Sequence, residues 1–355
     1  MFEGAEEYLF SDLVGAVRLS DGRIVVADRD SHDLRFFAPD GGLLFRVGAY
    51  GEGPGEFRSL DFVGVLTGDS VVTYDEGLRR IQVFDPAGAF VRSFVIETPR
   101  PTAYPDKMVG VVDGSAVAIR IVEVGAGVSE GIRRWPFEIL MKLDLESGVL
   151  DSVRFVPGHE TSVEVREEGR VSQGWYIFNK GPEFAAHAGR MAIISTDTFT
   201  VHILDRDGAP QLTIRRPIFP EPVTPDHRAT YIRNRLDIVF PEGSDPDPEY
   251  ERRFRQMLED SPVAPTLPIL RSVQLDSEGN VWVEMHHILG AEPKPFQVFA
   301  ADGTWLGEVE MPEGFYRGYI AYQAPYFQIG PDFLLGVWRD ELDVQYVRLY
   351  GLEKG

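Results

Sequence analysis

A repeated pattern of apolar segments and tight turns runs through most of the chain and constrains its fold more than any other feature. Each unit contains an apolar strand, a turn, a second apolar strand, a short loop, a strand that ends in an aromatic residue, another turn and a last strand. The two clearest copies span Val14 to Gly48 and Phe62 to Ile96, and Asp28 of the first aligns with Asp75 of the second. Asp-Gly and similar pairs at the turns indicate β-hairpins, because these residues readily adopt positive φ.

Four weaker copies follow, beginning near Met108, Phe184, Leu270 and Tyr326. Six units of roughly 45 residues are typical of β-propeller blades. The sequence therefore predicts an all-β fold, in which residues 1–355 form a single six-bladed β-propeller domain. The last unit ends after its third strand. We expect residues 6–11 to supply its outer strand, which would leave only short, protected sheet edges.

Two segments interrupt the repeat. Residues 158–182 link the third and fourth blades, and residues 217–268 link the fourth and fifth. The second insertion is predicted to be partly helical, because Thr224 precedes Pro225 and Asp247 precedes Pro248, as expected at helix N-termini. Long insertions in a compact domain are commonly lids or binding elements, so we expect this one to cover the mouth of the central channel.

Three segments carry a resemblance to a known family. The GEGPGEF loop at residues 51–57 and the following RRIQVFD at residues 79–85 resemble the NHL-type repeat. Together with the insertion and DSEGNVWV at residues 276–283, they are similar in order to bacterial six-bladed propeller proteins related to that group, most of which have no assigned activity. The resemblance implies a periplasmic or extracellular location, although the N-terminus lacks a signal-peptide pattern. It leaves the function open, because this architecture hosts lyases, lactonases and binding modules.

The composition narrows the range of partners. The 56 acidic residues against 35 basic ones give a net charge of −21, which disfavours nucleic acid and anionic membrane surfaces. The chain has no cysteine, which excludes disulfide and thiolate chemistry, and no apolar stretch is long enough to span a membrane. The common hydrolase and phosphate-binding motifs are missing as well. We expect a monomer that binds a small molecule or a peptide.

Carboxylates stand just before the first strand of several units. Loops that lead into these strands share one face of a propeller, where ligands usually bind. Converging carboxylates are the ligands that hard cations such as Ca²⁺ prefer, whereas polar residues that merely cap turns are the structural alternative. The candidate ligands of a divalent cation are Asp12, Asp61, Asp106, Glu183 and His187.

Aromatic and cationic residues gather in the loops predicted for the same face. Such residues suit a pocket for a small molecule or peptide, and the alternative is that they pack the long loops against the rim of the propeller. The candidate ligand-binding residues are Trp135, Trp175, Tyr231, Arg235, His286, Tyr319 and Tyr322. Two functions therefore stay open: a binding propeller with its site at the loop-bearing face, and a metal-dependent hydrolase or lyase whose cation polarises a carbonyl or activates water at the channel mouth.

Overall fold

Strands dominate the computed structural model, which describes residues 9–98, 102–123, 130–165, 171–316, 318, 326–340 and 344–353. The two clearest repeats each form a four-stranded antiparallel sheet with strands paired in chain order. The first sheet contains β1 (Leu13–Arg18), β2 (Ile24–Asp28), β3 (Asp33–Phe37) and β4 (Leu43–Val47). The second contains β5 (Leu60–Val65), β6 (Val71–Asp75), β7 (Arg80–Phe84) and β8 (Phe90–Val95).

The third and fourth repeats are joined into one eight-stranded sheet by a parallel bridge between Gly110 and Ala186. Its strands are β9 (Ala103–Asp113), β10 (Ala116–Glu123), β12 (Glu138–Asp144), β13 (Leu150–Val156), β16 (Pro182–His187), β17 (Arg190–Ser195), β18 (Thr200–Asp205) and β19 (Pro210–Arg215). A separate three-stranded sheet combines β14 (Glu160–Val165) and β15 (Val171–Gly174) of the first insertion with β11 (Gly131–Arg134), which lies in the loop between β10 and β12 of the third repeat. The first insertion is therefore part of a small sheet that also includes a strand of the third repeat.

The last two repeats form two more antiparallel sheets. One contains β20 (Leu270–Leu275), β21 (Val281–Met285), β22 (Phe296–Phe299) and β23 (Trp305–Val309). The other contains, in the described part of the chain, β24 (Gln328–Ile329), β25 (Phe333–Arg339) and β26 (Gln345–Gly351). Of the segment expected to complete this sheet, residues 6–8 lie outside the described residues, and residues 9–12 form no strand.

The second insertion contains the two predicted helices, α1 (Pro225–Val239) and α2 (Pro248–Asp260). Thr224 caps α1 by accepting a hydrogen bond from the His227 backbone N–H, and Asp247 caps α2 in the same way at Glu249. The insertion packs on residues that follow the small sheet, because Ile177 forms a bridge with Val263 and both lie in one apolar cluster with Tyr231. No helix in the described residues is long and apolar enough to cross a membrane.

The sheets contact one another in chain order, and the last returns to the first. Strand β1 contacts β5, β5 contacts β9, β9 contacts β16, β16 contacts β20, and β1 also contacts β24 and β25. The fifth and last sheets share a buried cluster that includes Trp282, Phe296 and Trp338. These contacts are made mainly by the first strand of each repeat, and we call β1, β5, β9, β16, β20 and β24 the innermost strands.

Small residues permit the close approach of the innermost strands. A Cβ on Gly15 would lie 2.7 Å from the Tyr326 carbonyl oxygen, and one on Gly110 would lie 2.2 Å from the Ala186 carbonyl oxygen. Both distances are shorter than a carbon–oxygen contact allows, so glycine is required for the parallel bridges at these two positions.

Candidate functional site

A narrow cavity lies between the innermost strands, with a volume of about 60 Å³. It is too small for a drug-sized ligand, since such pockets measure roughly 300–1,000 Å³, but it has room for a few water molecules. We call it the inner cavity. Its charged lining residues come from β5, β9, β10, β16, β20 and β21, and are Asp61, Lys107, Arg120, Glu183, Arg271 and Glu284.

Arg120 holds three carboxylates on one side of the inner cavity. Its Nε donates to Asp106 Oδ2 at 2.7 Å, Nε lies 3.8 Å from Glu138 Oε2, and Nη1 lies 3.9 Å from Glu183 Oε1. Burial opposes the charge of Arg120, but the carboxylates, Asp106 foremost, raise its pKa above the usual range. Because these carboxylates keep Arg120 protonated and hold it in place, Arg120 is a fixed positive charge at the wall of the inner cavity.

His159 joins two of the same carboxylates. Its Nδ1 lies 2.5 Å from Glu138 Oε1, and its Nε2 lies 3.8 Å from Glu183 Oε1. Burial by itself lowers the pKa of His159, but the hydrogen bond to Glu138 and the second carboxylate raise it to about 9. The imidazole is therefore protonated at neutral pH. Burial would raise the pKa of Glu183, but His159 and Arg120 outweigh it and keep that pKa below its usual range.

Asp61 and Lys107 bring opposite charges to the neighbouring wall. Burial raises the pKa of Asp61 to about 6, even though the Arg29 guanidinium acts in the other direction. Burial also lowers the pKa of Lys107, and Glu183 counteracts part of that effect. Arg29 links the residue before β1 to β5, because Nη1 lies 2.7 Å from Asp12 Oδ2 and Nη2 lies 2.8 Å from Asp61 Oδ1.

The opposite wall carries a second ion pair. Arg271 Nη1 donates to Glu284 Oε1 at 2.7 Å, and the Ser272 hydroxyl donates to Glu284 Oε2 at 2.5 Å. Arg271 also donates to the Gly318 carbonyl at 2.7 Å. This hydrogen bond connects the segment before the last sheet to the sheet of the fifth repeat. The inner cavity is thus lined by three acidic and three basic side chains, and its lining is balanced in charge.

The carboxylates proposed as cation ligands are engaged by arginines. Asp12 and Asp61 share Arg29, and Asp106 and Glu183 contact Arg120. His187 does not join them, because it ends β16 whereas Glu183 is near its start, a separation of about 13 Å along a strand. Among the described residues, no group of three or more His, Asp and Glu side chains has a geometry that could hold a metal ion. Within the described residues, the carboxylate oxygens that Ca²⁺ would need therefore pair with arginines instead.

Four of the predicted ligand-binding residues lie together, two of them on α1 and two on the segments that pack against it. Arg235 stacks on Trp175 with 5.0 Å from its Cζ to the ring centroid, while Tyr231 and His286 both contact Phe178, at centroid distances of 5.4 Å and 6.1 Å. Burial lowers the pKa of His286 to about 3, and its Nε2 has no hydrogen-bond partner within the described residues. This cluster is a partly buried contact between the insertion and its neighbouring segments.

The other predicted ligand-binding residues are placed differently. Trp135 is only 7% exposed, and its backbone N–H donates to the His159 carbonyl at 2.9 Å, so its ring is covered rather than available to a ligand. Tyr319 and Tyr322 lie outside the described residues.

The residues at the centre of the charge network were not predicted. Lys107, Arg120 and Glu138 lie in the apolar strands β9, β10 and β12, and His159 belongs to the first insertion. A charged residue inside an apolar strand was the signal that could have identified the first three, because burial of a charge needs a partner.

Comparisons with known proteins support the fold alone. No family model matches the sequence. The protein brain tumor of Drosophila melanogaster is 28% identical over 109 residues, which cover 29% of this chain and 10% of that protein. The matched region is therefore a small part of that relative.

Solved structures match over nearly the whole chain. A member of the DUF4221 family from Bacteroides vulgatus has a TM-score of 0.54 and 11% identity, covering 98% of this chain and 95% of that one. Two matches with lower TM-scores are a gluconolactonase from Xanthomonas campestris (0.46, 10% identity, 98% and 88% covered) and the calcium-binding protein regucalcin from Agrobacterium tumefaciens (0.45, 11% identity, 99% and 93% covered). This mostly β chain of many sheets is propeller-like.

Proposed function

We propose that the sheets are the blades of one six-bladed β-propeller formed by residues 1–355, of the NHL-like type, and that the segment of residues 6–11 completes the last blade. The order of sheet contacts and the return of the last sheet to β1 support this assignment. In such a ring the inner cavity is the central channel, and the helical insertion lies on the face where the innermost strands begin.

We propose further that the protein is a binding propeller that recognises the polar end of a small molecule or peptide at the mouth of this channel. The observation that carries the proposal is the balanced set of acidic and basic side chains lining the inner cavity. These charges are held in place by ion pairs before a ligand arrives, which reduces the cost of ordering on binding. A ligand end group that carries both donors and acceptors, such as a peptide terminus, matches them.

The dimensions of the inner cavity limit how the ligand binds. A volume of about 60 Å³ admits an end group and excludes the body of the ligand, which must rest against the surrounding loops. The arginine pairs favour this function over metal-dependent catalysis, because a cation would have to displace Arg29 or Arg120 from the acids that they contact.

A ligand screen tests the proposal. Amino acids and dipeptides with free or blocked termini are screened by thermal shift, and the hits are measured by calorimetry. We expect Lys107→Met to weaken the hits about tenfold, since one charged hydrogen-bonding group is lost. Lys294→Met is the control, because Lys294 is exposed outside the inner cavity. Equal affinity of the native protein and Lys107→Met would refute the channel as the binding site.

Elemental analysis of the same protein addresses the alternative function. Stoichiometric divalent metal that is lost in both Asp61→Asn and Glu183→Gln, together with hydrolase or lyase activity, would replace the binding proposal by the metal-dependent enzyme.

We also propose a monomer located in the periplasm or outside the cell, in line with the resemblance of its repeats. Light scattering on the purified chain measures its oligomeric state. Fractionation of cells that express the full-length gene determines its compartment, and recovery in the cytosol would contradict the proposed location.

A further inference from the structure

The two helices of the insertion are connected at both ends and separated between them. At the hairpin end, the Phe240 ring packs against Tyr250 and Phe254 at centroid distances of 5.6 Å and 5.7 Å. At the other end, the Arg228 guanidinium donates to the Glu259 carbonyl. Between these contacts lies a groove of about 940 Å³, which we call the interhelical groove. Its volume is typical of pockets for small molecules, roughly 300–1,000 Å³.

The floor of the interhelical groove is apolar. Ile232 and Leu236 of α1 face Val263 and Ala264 of the segment after α2, and Ile232, Val263 and Ala264 belong to the cluster that anchors the insertion to the sheets. The floor is therefore fixed by packing, and it offers an apolar strip to a ligand. From Arg228 to Asp237 the strip is about 13 Å long, at about 1.5 Å of rise per residue.

The charged lining is net positive in a chain of net charge −21. Arg228, Arg233 and Arg255 line the interhelical groove together with Asp237 and Glu259. Arg255 pairs with Glu251 at 3.1 Å, whereas the buried Nε of Arg228 has no hydrogen-bond partner within the described residues. No carboxylate of the described residues pairs with Arg228, whose guanidinium donates to the Glu259 backbone carbonyl, so an anionic group beside it would neutralise its charge.

We propose that the interhelical groove binds an amphiphilic carboxylate, with its alkyl chain along the floor and its carboxylate on Arg228. The pairing of an apolar strip with a guanidinium at one end matches the two halves of such a molecule. Guanidinium groups bind carboxylates through planar, charge-assisted hydrogen bonds. This site is separate from the inner cavity and does not depend on the function proposed for it.

Calorimetry with dodecanoate below its micellar concentration, and with dodecanol as the neutral analogue, tests the proposal. We expect the native protein to bind dodecanoate more tightly than dodecanol. Arg228→Met should weaken dodecanoate binding about tenfold, the effect of one lost charge-assisted hydrogen bond, and should leave dodecanol binding unchanged. Arg253→Met is the matched control, because Arg253 lies on α2 with 68% of its side chain exposed.

Two further results separate the proposal from a structural role of Arg228. Ile232→Glu should abolish binding of both probes while the circular dichroism spectrum stays native, and Lys107→Met should bind dodecanoate like the native protein. No binding of dodecanoate by the native protein, or equal losses of dodecanoate and dodecanol binding in Arg228→Met, would overturn the assignment.

Discussion

A single oxygen of Glu138, Oε1, accepts hydrogen bonds from both the ring Nδ1–H and the backbone N–H of His159, at 2.5 Å and 2.9 Å. Glu138 is the first residue of β12, and His159 lies immediately before β14. One carboxylate thus fixes the position of the backbone and the protonation state of the imidazole. Since His159 also approaches Glu183, this contact orients part of the inner cavity.

The first prediction concerns stability at alkaline pH. The pKa of His159 is raised from 6.5 to about 9 in the folded protein. A raised histidine pKa contributes stability that is fully present below pH 6.5 and is lost as the pH rises through about 9. We expect the free energy of unfolding to fall over this window by up to about 3 kcal/mol, at about 1.36 kcal/mol per pKa unit. Urea unfolding across the window measures it, and an unchanged slope in His159→Gln would contradict it.

The second prediction concerns Asp61 and stability at acidic pH. Burial raises its pKa to about 6 from 3.8, so the folded protein holds this proton more tightly than the unfolded chain does. Stability contributed by the protonated form is present below pH 3.8 and is lost as the pH rises through about 6. We expect Asp61→Asn to remove this decline in urea unfolding. Asp302→Asn, which changes an exposed turn residue, is the control and should retain the decline in stability. If the decline persisted in Asp61→Asn, another group would be its cause.

The third prediction concerns Asp75, which aligns with Asp28 of the first repeat. We expect removal of its carboxylate to lower the free energy of unfolding strongly. Asp75 is fully buried and accepts the backbone N–H groups of Arg58, Ser59 and Leu78 at 2.6, 3.2 and 2.8 Å. Asp75→Ala leaves these donors without their acceptor, and we expect a loss of at least about 3 kcal/mol in the free energy of unfolding. Asp75→Asn retains one oxygen and should lose less. Equal urea midpoints for the native protein and Asp75→Ala would disprove this function of the carboxylate.

Gly110 tests the contact between the third and fourth repeats. An added Cβ would meet the Ala186 carbonyl oxygen at 2.2 Å, and backbone atoms must move to relieve it. We expect Gly110→Ala to lower the free energy of unfolding by about 1–3 kcal/mol, the usual cost of overpacking. Gly351→Ala is the control, since no atom lies within 4 Å of its added Cβ. A thermal midpoint in Gly110→Ala that equals the control would refute the close approach of the two strands.

Most of the architecture could be predicted from local sequence. Turn residues and apolar alternation predicted the boundaries of the first two sheets, and the caps Thr224 and Asp247 predicted where α1 and α2 begin. These features act over a few residues, so the sequence displays them directly. The small sheet of β11, β14 and β15 was not predicted, because β11 comes from a loop within the third repeat and pairs with β14 of the first insertion across nearly 30 residues.

The site was harder to predict, because it depends on which side chains meet across sheets. Acids before the inner strands were recognised as a group, yet their pairing with Arg29 and Arg120 depends on the three-dimensional arrangement. Trp135 looked like an exposed anchor but is buried. Turns can be recognised from the residue types in the sequence, but the pairing of charged residues depends on contacts that form only in the folded protein.

The Leu13 backbone N–H donates to Gln345 Oε1 across 332 residues of sequence. At a translation rate of about 5–20 residues per second, Leu13 would be synthesised about 17 to 66 seconds before this partner is made. During that interval β1 lacks its neighbours β24 and β25, and its apolar face is available to chaperones or to other nascent chains. Completion of the first sheet's contacts must therefore follow synthesis of β24, β25 and Gln345, and termination before these residues would produce an aggregation-prone fragment instead of a smaller working protein.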